Sequence, residues 1–88
     1  MMNDIETRIN ELIGDLKQER DELLLKLKLA KLEATEEWVK LEAKIEKLES
    51  KAKELGNATA DASQDIGTAA KLLGEEIRDG FKKVARHL

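Results

Sequence analysis

The chain has 88 residues, a net charge of −3, 40% charged and 2% aromatic residues, and neither proline nor cysteine. That balance excludes the strongly basic footprint of a nucleic-acid binder, excludes disulfide stapling, and allows one domain at most. The abundance of Ala, Glu, Lys, Leu and Arg is that of a coiled coil or long helix, and the regular recurrence of leucine and isoleucine sets it apart from disorder.

The first predicted element is a long helix over about residues 4–55. Its apolar residues, Ile9, Ile13, Leu16, Leu24, Leu27, Ala34, Trp38, Leu41, Ile45, Leu48, Ala52 and Leu55, follow steps of three and four or their sums, with Arg20 and Lys31 filling the missing slots. Asn3 or Asp4 serves as its cap, and Asp4 and Glu6 suit the helix dipole. Gly14 costs about 1 kcal/mol against alanine in a helix interior. Glu22 with Lys26, Glu36 with Lys40, and Glu49 with Lys53 are pairs four apart on exposed faces. The middle carries more leucine than one seam needs. Leu25, Leu29 and Leu32 form a second stripe, extended by Val39 and Ala43, so this part of the helix is expected to have neighbours on two sides. Trp38, on the main stripe, reads as a core anchor with its indole N–H on a carbonyl or water.

Gly56 and Asn57 follow Leu55, with Lys51 and Lys53 in the preceding turn. This pattern ends a helix and predicts a reversal over residues 56–59, after which Thr59 or Asp61 caps a second helix over about residues 60–87. The second helix repeats at eleven residues: Ala62, Leu73 and Val84; Ile66, Ile77 and Leu88; Ala70 and Phe81. Gly67, Gly74 and Gly80 weaken it in isolation, so packing must hold it, and the small residues permit close approach of a neighbour.

At 1.5 Å per residue the first helix would span roughly 75–80 Å and the second roughly 40 Å. The fold-back helix then covers only the second half of the long one. The predicted fold class is therefore all-α: a helical hairpin assembling as an antiparallel coiled-coil or helical-bundle homo-oligomer. A dimer with its dyad near Lys28 and Leu29 is favoured over a tetramer of hairpins, and each end of that dimer is a three-helix bundle. The expected oligomer interface comprises Ile9, Leu12, Ile13, Leu16, Leu24, Leu25, Leu27, Leu29, Leu32, Trp38 and Phe81.

Catalytic and metal signatures are missing from the sequence. His87 is the single histidine, the Glu-x-x-His spacing of di-iron bundles does not occur, and the adjacent pairs Glu36-Glu37 and Glu75-Glu76 point in different directions. No cofactor is expected, and the chain reads as a non-enzyme. The Met-Met-Asn-Asp start lacks a signal peptide's basic and apolar regions, and no apolar run reaches the roughly 18 residues of a membrane span, so a cytoplasmic location is expected.

Two resemblances follow from these residues. The eleven-residue period and the flank of Lys71, Arg78 and Lys82 make residues 52–88 resemble the repeats of exchangeable apolipoproteins, synucleins and plant desiccation proteins. That resemblance implies reversible binding to a lipid surface or a helix formed on demand. The Leu-Glu-Ala-Lys and Lys-Leu-Glu phrases and the central tryptophan make the whole chain resemble small uncharacterised coiled-coil proteins of bacteria, which implies no activity. The expected function is that of a non-catalytic, self-associating interaction or scaffold module. Its partner is a second copy and, through its charged faces, an unidentified protein. A peripheral lipid-binding or stress-protective role is the alternative.

Overall fold

The computed structural model describes residues 4–30 and 36–86, which form three helices and no strand. Helix α1 spans Asp4–Leu29, α2 Glu36–Leu55 and α3 Ala60–Arg86. Each helix begins with acidic residues and ends with basic ones: Asp4 and Glu6 against Lys26 and Lys28 in α1, and Glu36 and Glu37 against Lys53 in α2. Both arrangements favour the helix dipole.

The single helix expected over residues 4–55 is corrected to two, α1 and α2, packed side by side. Lys17 Nζ lies 3.0 Å from Glu49 Oε1 across their interface; in a continuous helix these residues would be roughly 48 Å apart. The physical reason is burial. Folding α1 back covers Ile9, Ile13, Leu16, Leu23 and Leu27 with the chain's own α2 and α3, apolar burial that a lone extended helix would forgo. Lys31, Leu32 and Ala34, which the sequence pattern places in the long helix, lie outside the described residues, as do Asn3, His87 and Leu88.

The second reversal uses different chemistry. Gly56, Asn57 and Ala58 donate their N–H groups to the carbonyls of Lys53, Glu54 and Leu55 at 3.2, 3.2 and 3.4 Å. These bonds tighten the end of α2 into a turn and satisfy its last carbonyls. Thr59 then caps α3, its Oγ1 accepting from the Ala62 N–H at 3.3 Å.

The helices run up, down and up. Ile5 meets Gly67 and Leu12 meets Gly74, equal steps of seven on both partners, so α1 and α3 are parallel. Lys44 with Glu76 and Leu41 with Gly80 show α2 antiparallel to α3. The bundle measures 46 × 20 × 16 Å. Ion pairs cross each interface: Lys17–Glu49 between α1 and α2, Lys44–Glu76 between α2 and α3 at 3.6 Å, and Arg78–Glu19 between α3 and α1 at 3.8 Å.

Core positions in α3 follow seven residues rather than eleven. Ser63, Ala70 and Ile77 alternate with Gly74 and Phe81 along the buried face. Ala62 and Leu73 are half-buried, and Ala69 is exposed. The glycines decide this. A methyl group added at Gly67 would lie 2.6 Å from Ile5 Cγ2, and one at Gly74 would lie 2.6 Å from Leu12 Cδ2. Side chains of α1 thus fill notches in α3, and the glycine rows form part of the contact surface.

Candidate interaction surfaces

Trp38 anchors the end of the bundle where α1 finishes and α2 begins. It is buried, its ring centroid lies 5.9 Å from that of Phe81 with planes tilted by 35°, and its indole Nε1 donates to Glu42 Oε1 one turn along α2 at 3.1 Å. The two aromatics fix the approach of α2 to α3.

The residues expected to build an oligomer interface divide into three groups. Ile9, Ile13, Leu16, Leu27, Trp38 and Phe81 are buried within this one chain. Leu12 and Leu24 are half-buried and pack against the same core. Leu25 and Leu29 are exposed, by 59% and 76%, while Leu32 lies outside the described residues. The amino-terminal half of the chain, expected to await a second copy, is covered by its own α2 and α3. Leu23 takes the buried slot expected for Leu24. Arg20 is half-buried on the same face and turns its guanidinium outward to Asp21, with Nε and Nη2 both 3.1 Å from Oδ1.

The second stripe stays uncovered. Leu25, Leu29 and Val39 are exposed, Val39 by 63%, and Ala43 beside them is exposed as well. The antiparallel packing of α1 on α2 places Leu25 and Leu29, near the end of α1, at the same end of the bundle as Val39, near the start of α2. Leu72, exposed by 57%, stands apart in the middle of α3.

A second feature is a furrow of about 550 Å³ between the parallel helices α1 and α3. Ile5, Ile9 and Leu12 give it an apolar floor, narrowed by Gly67 and Gly74. Arg8, Lys71 and Arg78 stand on its rim together with Glu75. Beyond Arg78 the furrow continues as a recess of about 290 Å³ between Glu22 and Lys26 of α1 and Phe81 and Lys82 of α3. The Arg78–Glu19 pair spans the boundary. Sequence reasoning found Lys71 and Arg78 on one flank of α3 but missed Arg8 and the furrow. The available signal was the shared spacing of seven: Ile5 and Leu12 on one helix, Gly67 and Gly74 on the other.

Among the described residues no group of three or more His, Cys, Asp or Glu side chains is placed to hold a metal ion, and no helix is long and apolar enough to cross a membrane. Comparison with protein-family models, curated proteins and solved structures finds no match to this chain.

Proposed function

We propose that this chain is a non-catalytic helical-bundle interaction module that self-associates as an antiparallel homodimer. The observation that supports the reading is the exposure of three large aliphatic side chains at one end of the bundle: Leu25 and Leu29 on α1 and Val39 on α2 are each more than half exposed. Single exposed leucines are ordinary, but three large aliphatic residues at one end of so small a bundle call for a cover. A two-fold pair of copies supplies one with the least new chemistry, since one self-complementary patch suffices.

A second arrangement of the same dimer keeps residues 4–55 as one helix and exchanges α1 between copies. It is favoured by the sequence Ala30-Lys31-Leu32-Glu33-Ala34-Thr35, which contains neither glycine nor proline. The spacing of Lys17 and Glu49 would centre such a dyad on residue 33 rather than on Leu29.

Light scattering coupled to size exclusion tests the proposal: a dimer at micromolar concentration is expected, and a fully helical monomer overturns it. The cysteine pair Lys17→Cys and Glu49→Cys, in a chain with no other cysteine, separates the two arrangements. Oxidation gives a disulfide within one chain when α1 stays home, and a covalent dimer when it is exchanged.

The lipid-binding alternative requires more of the molecule. Ala70, Ile77 and Phe81, on the apolar stripe of α3, are buried in the bundle, so α3 would have to leave it. Anionic vesicles would then abolish the burial of Trp38, seen as a red-shifted emission.

A further inference from the structure

We infer that the furrow between α1 and α3 binds an anionic amphiphile: a fatty-acyl carboxylate with its head between Arg8 and Lys71 and its tail running over Ile9 and Leu12 toward Arg78. The inference concerns this furrow alone and does not depend on the oligomeric state.

Charge is the first argument. The chain as a whole is acidic, at −3, yet the furrow is lined by three cations, Arg8, Lys71 and Arg78, against Glu75 and the Glu19 that pairs with Arg78 at its edge. The register that sets Gly67 against Ile5 and Gly74 against Leu12 brings Lys71 level with Ile9, one residue from Arg8. Two cations therefore line the opening at nearly the same level, one from each helix. Neither Arg8 nor Lys71 makes an ion pair among the described residues. An anion between them would relieve their mutual repulsion and gain two partners at once.

Shape is the second argument. The volume falls within the roughly 300–1,000 Å³ of small-molecule sites, and the floor is aliphatic. A bare inorganic anion would leave that floor wet, whereas a hydrocarbon tail covers it. The furrow is a trough running along the helix axes, which suits an extended chain better than a compact ring. At Arg78 the trough meets the recess beside Phe81, so the tail has room to extend past Leu12.

Dodecanoate below its micellar concentration is the probe, titrated into the intact chain by calorimetry and by amide chemical shifts. Saturable binding of one dodecanoate per furrow is expected, with shifts confined to residues around Ile5 to Leu12 and Gln64 to Arg78. Acetate, which has the head alone, should not bind, and dodecanol, which has the tail alone, should bind at least about tenfold more weakly. Arg8→Gln and Lys71→Gln should each weaken dodecanoate by about threefold, the range of an exposed charge pair. Glu75→Gln should tighten it by about twofold. All three positions are exposed, and circular dichroism confirms that each variant folds. Three outcomes overturn the inference: no saturable binding, equal binding of dodecanoate and dodecanol, or shifts centred on Leu25, Leu29 and Val39. Recruitment to anionic vesicles without binding of free dodecanoate also overturns it, in favour of a membrane surface.

Discussion

Gly14 and Gly80 both sit inside helices, and their surroundings differ in a way that fixes the sign of a substitution. Nothing lies within 4 Å of a methyl group built on Gly14, whereas one on Gly80 collides with the side chain of Leu41. Gly14→Ala should stabilise the chain by about 0.5–1 kcal/mol through helix propensity alone. At Gly80 the same gain is offset by displacement of Leu41, which is only 3% exposed and has nowhere to go, so Gly80→Ala should destabilise by about 1–3 kcal/mol. Urea denaturation of both variants checks the opposite signs. Ser63 supplies a third case. It is 3% exposed, and its hydroxyl has no hydrogen-bond partner. Ser63→Ala removes that burden while keeping the Cβ, and should raise stability by about 1 kcal/mol.

At the scale of the helix, Leu29 separates a closed chain from an assembled one. In the isolated bundle it is 76% exposed, so Leu29→Glu should change monomer stability by less than about 0.5 kcal/mol. In the proposed dimer the same substitution buries an unpaired charge in each copy and should cost several kcal/mol of association. Light scattering across a dilution series, run beside a thermal melt, reads the two effects separately. The interhelical ion pairs invite a similar test. All three are substantially exposed, so 1 M salt should lower stability by less than about 1 kcal/mol, and the core should survive it.

How far the sequence spoke also differs by helix. The stripe of α2 was fully legible: Trp38, Leu41, Ile45, Leu48 and Leu55 are all buried. The residues that end α2 and cap α3 were legible too, because glycine, asparagine and threonine carry local chemistry there. The break between α1 and α2 was hidden by leucine. With either Leu23, which is buried, or Leu24 the series from Leu16 to Leu27 runs in steps of three and four or their sums, and Trp38 follows eleven residues on, so the stripe passes the break without losing step. Lys26 and Lys28 followed by Thr35, Glu36 and Glu37 formed an end-and-start signature. Helix propensity drowned it because no glycine or proline marks the place. In α3 the eleven-residue pattern had the large residues Ile77 and Phe81 right but missed the seven-residue core. Three of its five buried residues, Ser63, Ala70 and Gly74, are small, and hydrophobic periodicity is blind to positions that receive a side chain instead of supplying one. The furrow was illegible for a related reason: it is built by two helices 62 residues apart in register.

On the scale of the whole molecule, the odd number of helices has a mechanical consequence. An up-down-up bundle leaves Asp4 and Arg86 at opposite ends of its 46 Å axis. Tension applied at those two points would drag α1 and α3 past each other lengthwise. Peeling them apart one turn at a time is not the geometry on offer. Ile5 and Leu12, seated in the hollows at Gly67 and Gly74, would act like teeth in a rack, so every contact along the seam would have to slip at once. A domain strung between two loads in this way resists stretching as a spacer and yields abruptly, where a two-helix hairpin pulled from adjacent ends would unzip.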